Sequence, residues 1–371
     1  MSNYLSEELV AEILKRLPVK SLLKFKRVCK SWYSLITNPN FISLHLAHTT
    51  EANETSSLIM KTSHRIRQFV LVNDNGSVCE LKESDLVSFH INSNSSSPVS
   101  NFEFVGSCNG LVCLTDNPRK HLILWNPAVG EFITTSSWEH NYKSDVVVGF
   151  GFDSKKRDYK VVRILVDSKG MASLPFAEIF ELSSNSWRTI MGKNQKYDGY
   201  AFVTRAYLNG VVHWIAYKYC GIHHYKKLAV ASLDLSTETF DDLMLPDVLT
   251  EISKPHLILK VYGQSLAVVQ YEWSPSTHYN AKCCIWVMKD YGAPESWSKQ
   301  FTIDLGNHGV FKWVLIFQGN GRILVEKRDG ELASYDTETQ RVARLGVHGY
   351  YYSAHPYTES LVLLKEKNNK K

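Results

Sequence analysis

The chain has 371 residues, of which 44% are hydrophobic and 21% are charged, so it can build a folded core and is not an intrinsically disordered protein. No run of residues approaches the ~18 consecutive apolar side chains of a membrane-spanning helix. Glu7, Glu8, Glu12 and Lys15 interrupt any N-terminal apolar run that would act as a signal peptide. The sequence therefore predicts a cytoplasmic or nuclear protein with no membrane partner.

The net charge of +5 is concentrated at the two ends of the chain. Residues 1–48 carry seven basic and three acidic side chains, a net charge of +4, and residues 365–371 carry a net charge of +3. Residues 49–364 are left with a net charge of −2, whereas a nucleic-acid surface needs lysines and arginines over a large face. We therefore expect no nucleic-acid partner, and the basic N-terminal segment favours an acidic protein partner.

The seven cysteines are odd in number and form no Cys-x-x-Cys pair, so they indicate neither a disulfide framework nor a zinc site. They are Cys29, Cys79, Cys108, Cys113, Cys220, Cys283 and Cys284. We expect reduced thiols that are mostly buried.

Three short helices are predicted within residues 1–48. Ser6 is a suitable N-cap for the first helix, whose apolar residues recur at Leu9, Ile13 and Leu17 before Pro18 ends it. The second helix carries Leu22, Leu23 and Phe25. The third places an apolar face before the Asn38-Pro39 pair. That face consists of Val28, Cys29, Trp32, Leu35 and Ile36.

These helices form a unit smaller than most domains that fold alone, and no disulfide or metal site is predicted to compensate. Residues 49–57 are polar and show no periodicity, which predicts a flexible linker. Part of the apolar surface of residues 1–48 is therefore expected to be covered by the rest of the chain or by another protein, and the flexible linker favours another protein.

The order and spacing of the helical residues resemble an F-box. The resemblance rests on Leu5-Ser6-Glu7-Glu8-Leu9, Ile13-Leu14-Lys15-Arg16-Leu17-Pro18, Val28-Cys29-Lys30-Ser31-Trp32, Leu35-Ile36 and Phe41. Ser6 departs from the family, which usually has proline there. The resemblance implies docking on a Skp1-like adaptor that joins cullin and RING subunits into a ubiquitin ligase. By that resemblance the adaptor contacts are Leu5, Leu9, Ile13, Pro18, Leu22, Val28 and Trp32. The alternative for several apolar residues, above all Leu14 and Leu17, is that they only hold the helices together.

Residues 58–366 change to a period of two with turn residues, which is typical of β-structure. A strand that ends in a polar residue, a turn and a large apolar residue in the return strand recur six times. The apolar residues of the return strands are Cys79, Phe132, Trp187, Phe240, Trp297 and Val342, 45 to 57 residues apart. This period predicts four strands per repeat and a six-bladed kelch-like β-propeller, closed by pairing residues 361–364 with residues 58–60. Residues 367–371 are predicted to be a basic tail.

The repeats lack the Gly-Gly pair of standard kelch blades and instead resemble the F-box-associated interaction domain of plants. The motifs are Val105-Gly106-Ser107-Cys108-Asn109-Gly110-Leu111-Val112, Leu124-Trp125-Asn126-Pro127, Gly149-Phe150-Gly151-Phe152-Asp153, Asp158-Tyr159-Lys160-Val161-Val162-Arg163 and the segment from Ile285 to Trp297. The chain is similar both to S-locus F-box proteins of pollen and to F-box proteins that limit immune-receptor levels. The motifs do not choose between these two groups.

The sequence contains no recognised catalytic or phosphate-binding motif, so we expect no catalytic, cofactor or metal site. His223 and His224 lack a third ligand nearby, which favours a solvated loop, open to a binding partner, over a metal site. The leading hypothesis is a non-catalytic substrate-recognition subunit of a ubiquitin ligase. Two alternatives are a non-ligase F-box scaffold and a propeller enzyme with acidic residues in its channel.

The target of the propeller is not identified by any motif. The resemblance implies a pistil ribonuclease for the S-locus group or an immune receptor for the other group. The longer segments between strands, residues 82–104, 165–176 and 216–227, are the candidates for target binding.

Overall fold

The computed structural model describes residues 5–52, 57–61, 69–72, 78–81, 103–115, 121–135, 145–166, 176–192, 197–220, 225–250, 256–274, 279–305, 311–318, 321–349 and 353–364.

The N-terminal segment folds into four helices rather than the three that the sequence predicts. They are α1 (Glu7–Leu14), α2 (Val19–Phe25), α3 (Lys30–Ile36) and α4 (Pro39–Ala52). Helix α4 begins at Pro39 because the fixed φ of proline suits the first position of a helix. It continues through residues 49–52, so the predicted linker over 49–57 is wrong at its start. Residues 53–56 lie outside the described part of the chain, and the first strand begins at Ser57.

Six four-stranded antiparallel sheets follow in the part of the chain that the structure describes. The first contains β1 (Ser57–Lys61), β2 (Phe69–Val72) and β3 (Val78–Leu81), and the second β4 (Glu103–Cys108), β5 (Leu111–Thr115), β6 (Leu122–Asn126) and β7 (Glu131–Thr134). The third contains β8 (Asp145–Asp153), β9 (Asp158–Val166), β10 (Phe176–Glu181) and β11 (Ser186–Met191), and the fourth β12 (Tyr197–Leu208), β13 (Val211–Cys220), β14 (Tyr225–Asp234) and β15 (Phe240–Met244). A short helix α5 (Asp247–Thr250) leads to the fifth, with β16 (His256–Tyr262), β17 (Ser265–Ser274), β18 (Tyr279–Met288) and β19 (Trp297–Asp304). The sixth contains β20 (Phe311–Phe317), β21 (Arg322–Lys327), β22 (Glu331–Asp336) and β23 (Val342–His348), and β24 (Ser353–Tyr357) returns to the first sheet.

The repeat seen in the sequence is the hairpin between the third and fourth strands of each sheet. Each predicted apolar residue of the return strand pairs across this hairpin, so the repeat is confirmed in all six sheets. The pairs are Leu71 with Cys79, Trp125 with Phe132, Phe180 with Trp187, Leu233 with Phe240, Met288 with Trp297, and Tyr335 with Val342.

A tight turn also precedes the second strand of the sheets of β4–β7 and β12–β15. Asn109 and Gly110 have φ angles of 52° and 79°, and Asn209 and Gly210 have φ angles of 53° and 80°. Two successive positive φ angles define a type I′ turn, whose twist matches that of the flanking strands.

The first sheet is completed by β24, which pairs with β1 from Ser57–Tyr357 to Lys61–Ser353. The prediction that residues 361–364 pair with this strand is therefore wrong. The strand that pairs with β1 lies a few residues earlier, at Ser353–Tyr357.

The chain divides into two compact units. One consists of Met1–Trp138 together with Ser353–Lys371, and the other of Glu139–Tyr352. In the second unit, neighbouring sheets share cores of buried apolar side chains, such as the one that contains Val162, Trp214 and Leu233. In the first unit, Ile59, Val112 and Trp125 belong to one core, so the sheet closed by β24 packs on the sheet of β4–β7. The prediction of a mainly β fold with six four-stranded repeats after N-terminal helices is confirmed.

Candidate docking surface on the N-terminal helices

Helix α1 begins where the sequence predicts. The Ser6 hydroxyl accepts a hydrogen bond from the Leu9 N–H at 3.3 Å, which satisfies one of the free donors of the first turn. Glu7 and Glu8 lie in that turn, where the helix dipole favours negative charge. Pro18 has extended backbone angles and starts α2, so the chain changes direction between the two helices.

The two faces of α1 have opposite roles. Leu14 is 1% exposed and belongs to the internal core of the helices. Leu9 and Ile13, one turn apart, point outward with 54% and 51% of their surfaces exposed, and Leu5 just before the helix is 60% exposed. The outward face of α1 is therefore an apolar stripe in contact with solvent.

The turn between α2 and α3 adds to the exposed apolar surface. Val28 in this turn is 61% exposed, and Pro18 is exposed as well. Trp32 on α3 is half-buried, because its ring packs edge-on against Phe25 with 5.5 Å between the ring centroids. Six of the seven predicted contact residues thus have surface that a partner can cover.

Leu22 is the exception, because the fold leaves none of its surface exposed for an adaptor to contact. It is completely buried with Leu14, Val19, Ile36 and Phe41 in the core of the helices. The alternative considered for Leu14, that it holds the helices together, agrees with its burial. Tyr33 and Leu44 are exposed apolar residues that the sequence analysis missed, and Leu44 lies on the unpredicted helix α4.

The charges around this surface are mostly basic. Glu12 pairs with Lys15 at 2.9 Å and lies 3.9 Å from Arg16. The hydrogen bond from Lys15 lowers the pKa of Glu12. Four further cations are exposed and form no ion pair among the described residues. They are Lys20, Lys24, Arg27 and Lys30.

The helices are packed on the sheet structure through Leu361. This residue is 1% exposed and lies in the same core as Leu14 and Leu22, with Ala128 from the β6–β7 turn packed alongside. The sequence predicts that the helices are tethered to the sheets and not packed on them, and the structure differs in this respect. The helices share a core with the first unit of the chain.

Residues 358–364, here called the anchor segment, are themselves fixed on the β4–β7 sheet. The Asn126 side-chain amide donates to the carbonyl oxygens of Ser360 and Val362 at 3.1 and 2.8 Å. The Leu364 N–H donates to Glu131 at 2.9 Å. A Cβ at Gly110 would lie 2.3 Å from the Ser360 hydroxyl oxygen, so only glycine allows the anchor segment to approach this turn.

His45 connects α4 to the first two helices. Its Nε2 lies 2.9 Å from the Leu17 carbonyl oxygen, and the side chain is 2% exposed. Burial lowers the pKa of His45, which favours the neutral ring at physiological pH.

Within the described ranges the chain has no group of three or more His, Cys, Asp and Glu side chains that could hold a metal ion. No helix among the described residues is long and apolar enough to cross a membrane. His223 and His224 lie outside the described residues, as do residues 82–102, 167–175 and 221–224, most of the three segments considered for target binding.

Comparison with known proteins identifies both parts of the chain. The profile of the F-box domain matches residues 3–44, so the four helices carry an F-box. The profile of the F-box associated beta propeller domain matches residues 57–363, and the chain belongs to this family. The six sheets are the six blades of that propeller fold. Proteins with an F-box are generally non-catalytic adaptors.

Similar curated proteins come from Arabidopsis thaliana. "F-box protein At3g07870" is 28% identical over 93% of this chain and 88% of its own length. "F-box/kelch-repeat protein At3g23880" is 28% identical over 80% of this chain and 78% of its own length. "F-box protein CPR1" is 24% identical over 96% of this chain and 88% of its own length.

Proposed function

We propose that this protein is the substrate-recognition subunit of an SCF-type (Skp1–cullin–F-box) E3 ubiquitin ligase. The observation that carries the proposal is the exposure of Leu5, Leu9, Ile13 and Val28 on helices whose interior is already filled by other residues. A Skp1-like adaptor that covers these four side chains and the free part of Trp32 would remove the apolar surface from water.

The size of the apolar contribution can be estimated from these exposures. Complete burial of a side chain of this size contributes about 1.5–3 kcal/mol, so covering four that are about half exposed contributes on the order of 4 kcal/mol. A micromolar complex needs about 8 kcal/mol, and association also costs translational and rotational entropy. Trp32, Pro18 and the charged side chains around the apolar surface must therefore contribute to a stable complex.

The proposed mechanism is proximity. The F-box holds the adaptor, through which cullin and RING subunits assemble, and the propeller holds a target protein near the ubiquitin-charged enzyme. The effective concentration of target lysines then rises without any chemistry by this chain. The propeller surface that holds the target and the identity of the target, whether a pistil ribonuclease, an immune receptor or another protein, are not assigned by the described residues.

The test is to place a charge within the exposed apolar stripe. Ile13→Glu in the full-length protein should weaken binding of a purified Skp1-like adaptor at least about tenfold, because the adaptor would have to bury an unpaired carboxylate. Val248→Glu is the matched control, since Val248 is 52% exposed on α5 and its replacement changes the charge by the same amount. Isothermal titration calorimetry measures both affinities.

Equal adaptor affinity of Ile13→Glu and the wild-type protein would overturn the proposed docking surface. A second measurement separates a ligase subunit from an F-box scaffold. Cullin should co-elute with the adaptor and this chain in gel filtration of purified components, whereas a complex that retains the adaptor and excludes cullin would support the scaffold.

A further inference from the structure

Four exposed basic side chains flank the exposed Val28 in sequence. Lys20, Lys24, Arg27 and Lys30 fall within eleven consecutive residues, all four are exposed, and Val28 lies among them. We call these four side chains the basic rim. Of the four carboxylates in α1 to α4, Glu7, Glu8 and Glu12 belong to α1, and Glu51 lies near the end of α4.

The basic rim has no partner within the described residues, although many cations of the sheets are paired. Lys156, Lys160 and Arg188 share Glu181 and Glu238, and Lys218, Lys282, Lys312 and Lys327 each pair with a carboxylate. Unpaired like charges within eleven residues repel one another, so the rim does not contribute to the stability of the free chain.

The four cations of the rim are not explained by a stabilising effect on their own helices either. Lys20 lies in the first turn of α2, and Lys30 is the first residue of α3. The positive end of the helix dipole lies at these positions and disfavours a cation there. Two of the four rim residues are thus placed where they weaken their own helices slightly, which points to an external partner.

We infer that the surface of the adaptor that meets this F-box is acidic, and that the basic rim attracts it. This inference rests on the proposed function. The rim acts mainly on the rate of association, because exposed ion pairs contribute only about 0–1 kcal/mol each, whereas complementary charges raise association rates by about 10-fold or more. The apolar stripe then determines how long the complex lasts.

A nucleic acid is the other polyanion that a basic surface can attract, but the composition of this surface argues against it. The four cations of the rim flank the exposed aliphatic side chain of Val28 in sequence, which a phosphate backbone cannot cover favourably. The net charge of −2 over residues 49–364 also provides no extended basic track.

The experiment measures association and dissociation rates of the full-length chain with a purified Skp1-like adaptor by stopped-flow fluorescence. The salt concentration is varied from ~0.1 M to ~1 M NaCl, over which the Debye length falls from about 10 Å to about 3 Å. The double variant Lys20→Glu/Lys30→Glu should associate about tenfold more slowly at low salt with little change in dissociation rate. At high salt its association rate should approach that of the wild-type protein.

Two features make this test specific. Glutamate suits the first turn of a helix, so the variant should be at least as stable as the wild-type protein in thermal unfolding, and slower association cannot then result from misfolding. The control Lys155→Glu/Lys289→Glu changes the net charge equally at two exposed residues, one in a turn and one in a bend next to the strands, and should associate at the wild-type rate.

The possible outcomes are distinct. Association of the wild-type protein that does not depend on salt, or equal rates for the rim variant and the control, would overturn the inference while leaving adaptor binding intact. Absence of any complex between wild-type chain and adaptor would instead overturn the proposed function. Competition of the adaptor by a 20-base-pair DNA duplex would assign the rim to nucleic acid and also overturn the inference.

Discussion

Lys160 on β9 is a fully buried cation at the junction of two neighbouring sheets. Its ammonium group donates to Asp153 at 2.7 Å, to Glu238 at 2.9 Å and to the Leu235 carbonyl oxygen. Asp153 and Lys160 lie on β8 and β9, whereas Glu238 lies in the turn between β14 and β15. The ammonium group therefore ties two sheets of the second unit together through charged hydrogen bonds.

Removing this cation should be far more damaging than removing an exposed neighbour from the same carboxylates. Lys160→Met leaves Asp153 buried without its cation, and we expect a loss of about 3–5 kcal/mol in the free energy of unfolding. Lys156→Met removes an ion pair to Glu181 whose lysine is 52% exposed, and its cost should stay below about 1 kcal/mol. Urea unfolding of both variants measures the difference, and similar losses would contradict a special role for Lys160.

The same cluster predicts how the effect of Lys160→Met varies with pH. Burial alone would raise the pKa of Asp153 and of Glu238, but hydrogen bonds from Lys160 and other donors, including Arg188 on Glu238, hold each at about 2. Carboxylates with a lowered folded-state pKa stabilise the protein above their unfolded pKa of about 4, and this contribution is lost as the pH falls toward 2. The difference in the free energy of unfolding between the wild-type protein and Lys160→Met should thus be largest near neutral pH and become smaller in acid. A difference that widens below about pH 4 would contradict this account.

At the scale of elements, the anchor segment is the connection between the F-box and the sheets. Leu361→Ala should create a cavity in the core of the helices and destabilise them by about 2–4 kcal/mol. Amide hydrogen exchange in α1 to α4 should accelerate, while strands of the second unit keep their protection. Leu363→Ala is the matched control, since Leu363 is only half-buried two residues away and its truncation should cost less. Equal exchange rates in both variants would mean that Leu361 does not hold the helices.

The elements also divide into those that local sequence predicts and those that it does not. The N-cap at Ser6, the break at Pro18 and the hairpin pairs such as Trp125–Phe132 depend on residues close in sequence, and the structure has them as predicted. The sequence predicts residues 361–364 as the closing strand because they are apolar like a buried strand. The strand that closes the first sheet, Ser353–Tyr357, contains a proline and few apolar residues. Residues 353–357 have a weak intrinsic preference for a strand, and pairing with β1 compensates for it. The two paired strands are about 300 residues apart in the chain.

The docking surface also depends on contacts between residues that are distant in sequence. Helical periodicity identifies Leu9 and Ile13 as one face of α1, but it does not reveal which of several apolar faces the rest of the chain covers. The resemblance predicts that Leu22 contacts the adaptor. In the structure Leu22 packs in the core of the helices together with Leu361, a residue more than 300 positions away. Only the tertiary contacts separate buried from exposed leucines here.

At the scale of the whole molecule, the last described residues of the chain complete structures that its first residues begin. The β24 strand is the partner of β1, and the anchor segment that follows it completes the core of the F-box. The compact unit of Met1–Trp138 therefore includes Ser353–Lys371, while Glu139–Tyr352 forms its own unit. Such non-local pairing carries the entropic cost of closing a loop of about 300 residues.

This connectivity predicts a selective effect of C-terminal truncation. A chain that ends at residue 352 lacks β24 and the anchor segment, so β1 and β2 and the four helices should lose protection from hydrogen exchange, and adaptor binding should fall with them. The sheets formed by β8–β23 lie within the other unit and should stay protected. A chain that ends at residue 364 is the control and should match the full-length protein, because it keeps both elements. A synthetic peptide of residues 353–364 should restore part of the lost protection when added to the shorter chain. If β1 and the helices remain fully protected without residues 353–364, the return of the chain to its first unit is not what stabilises the F-box.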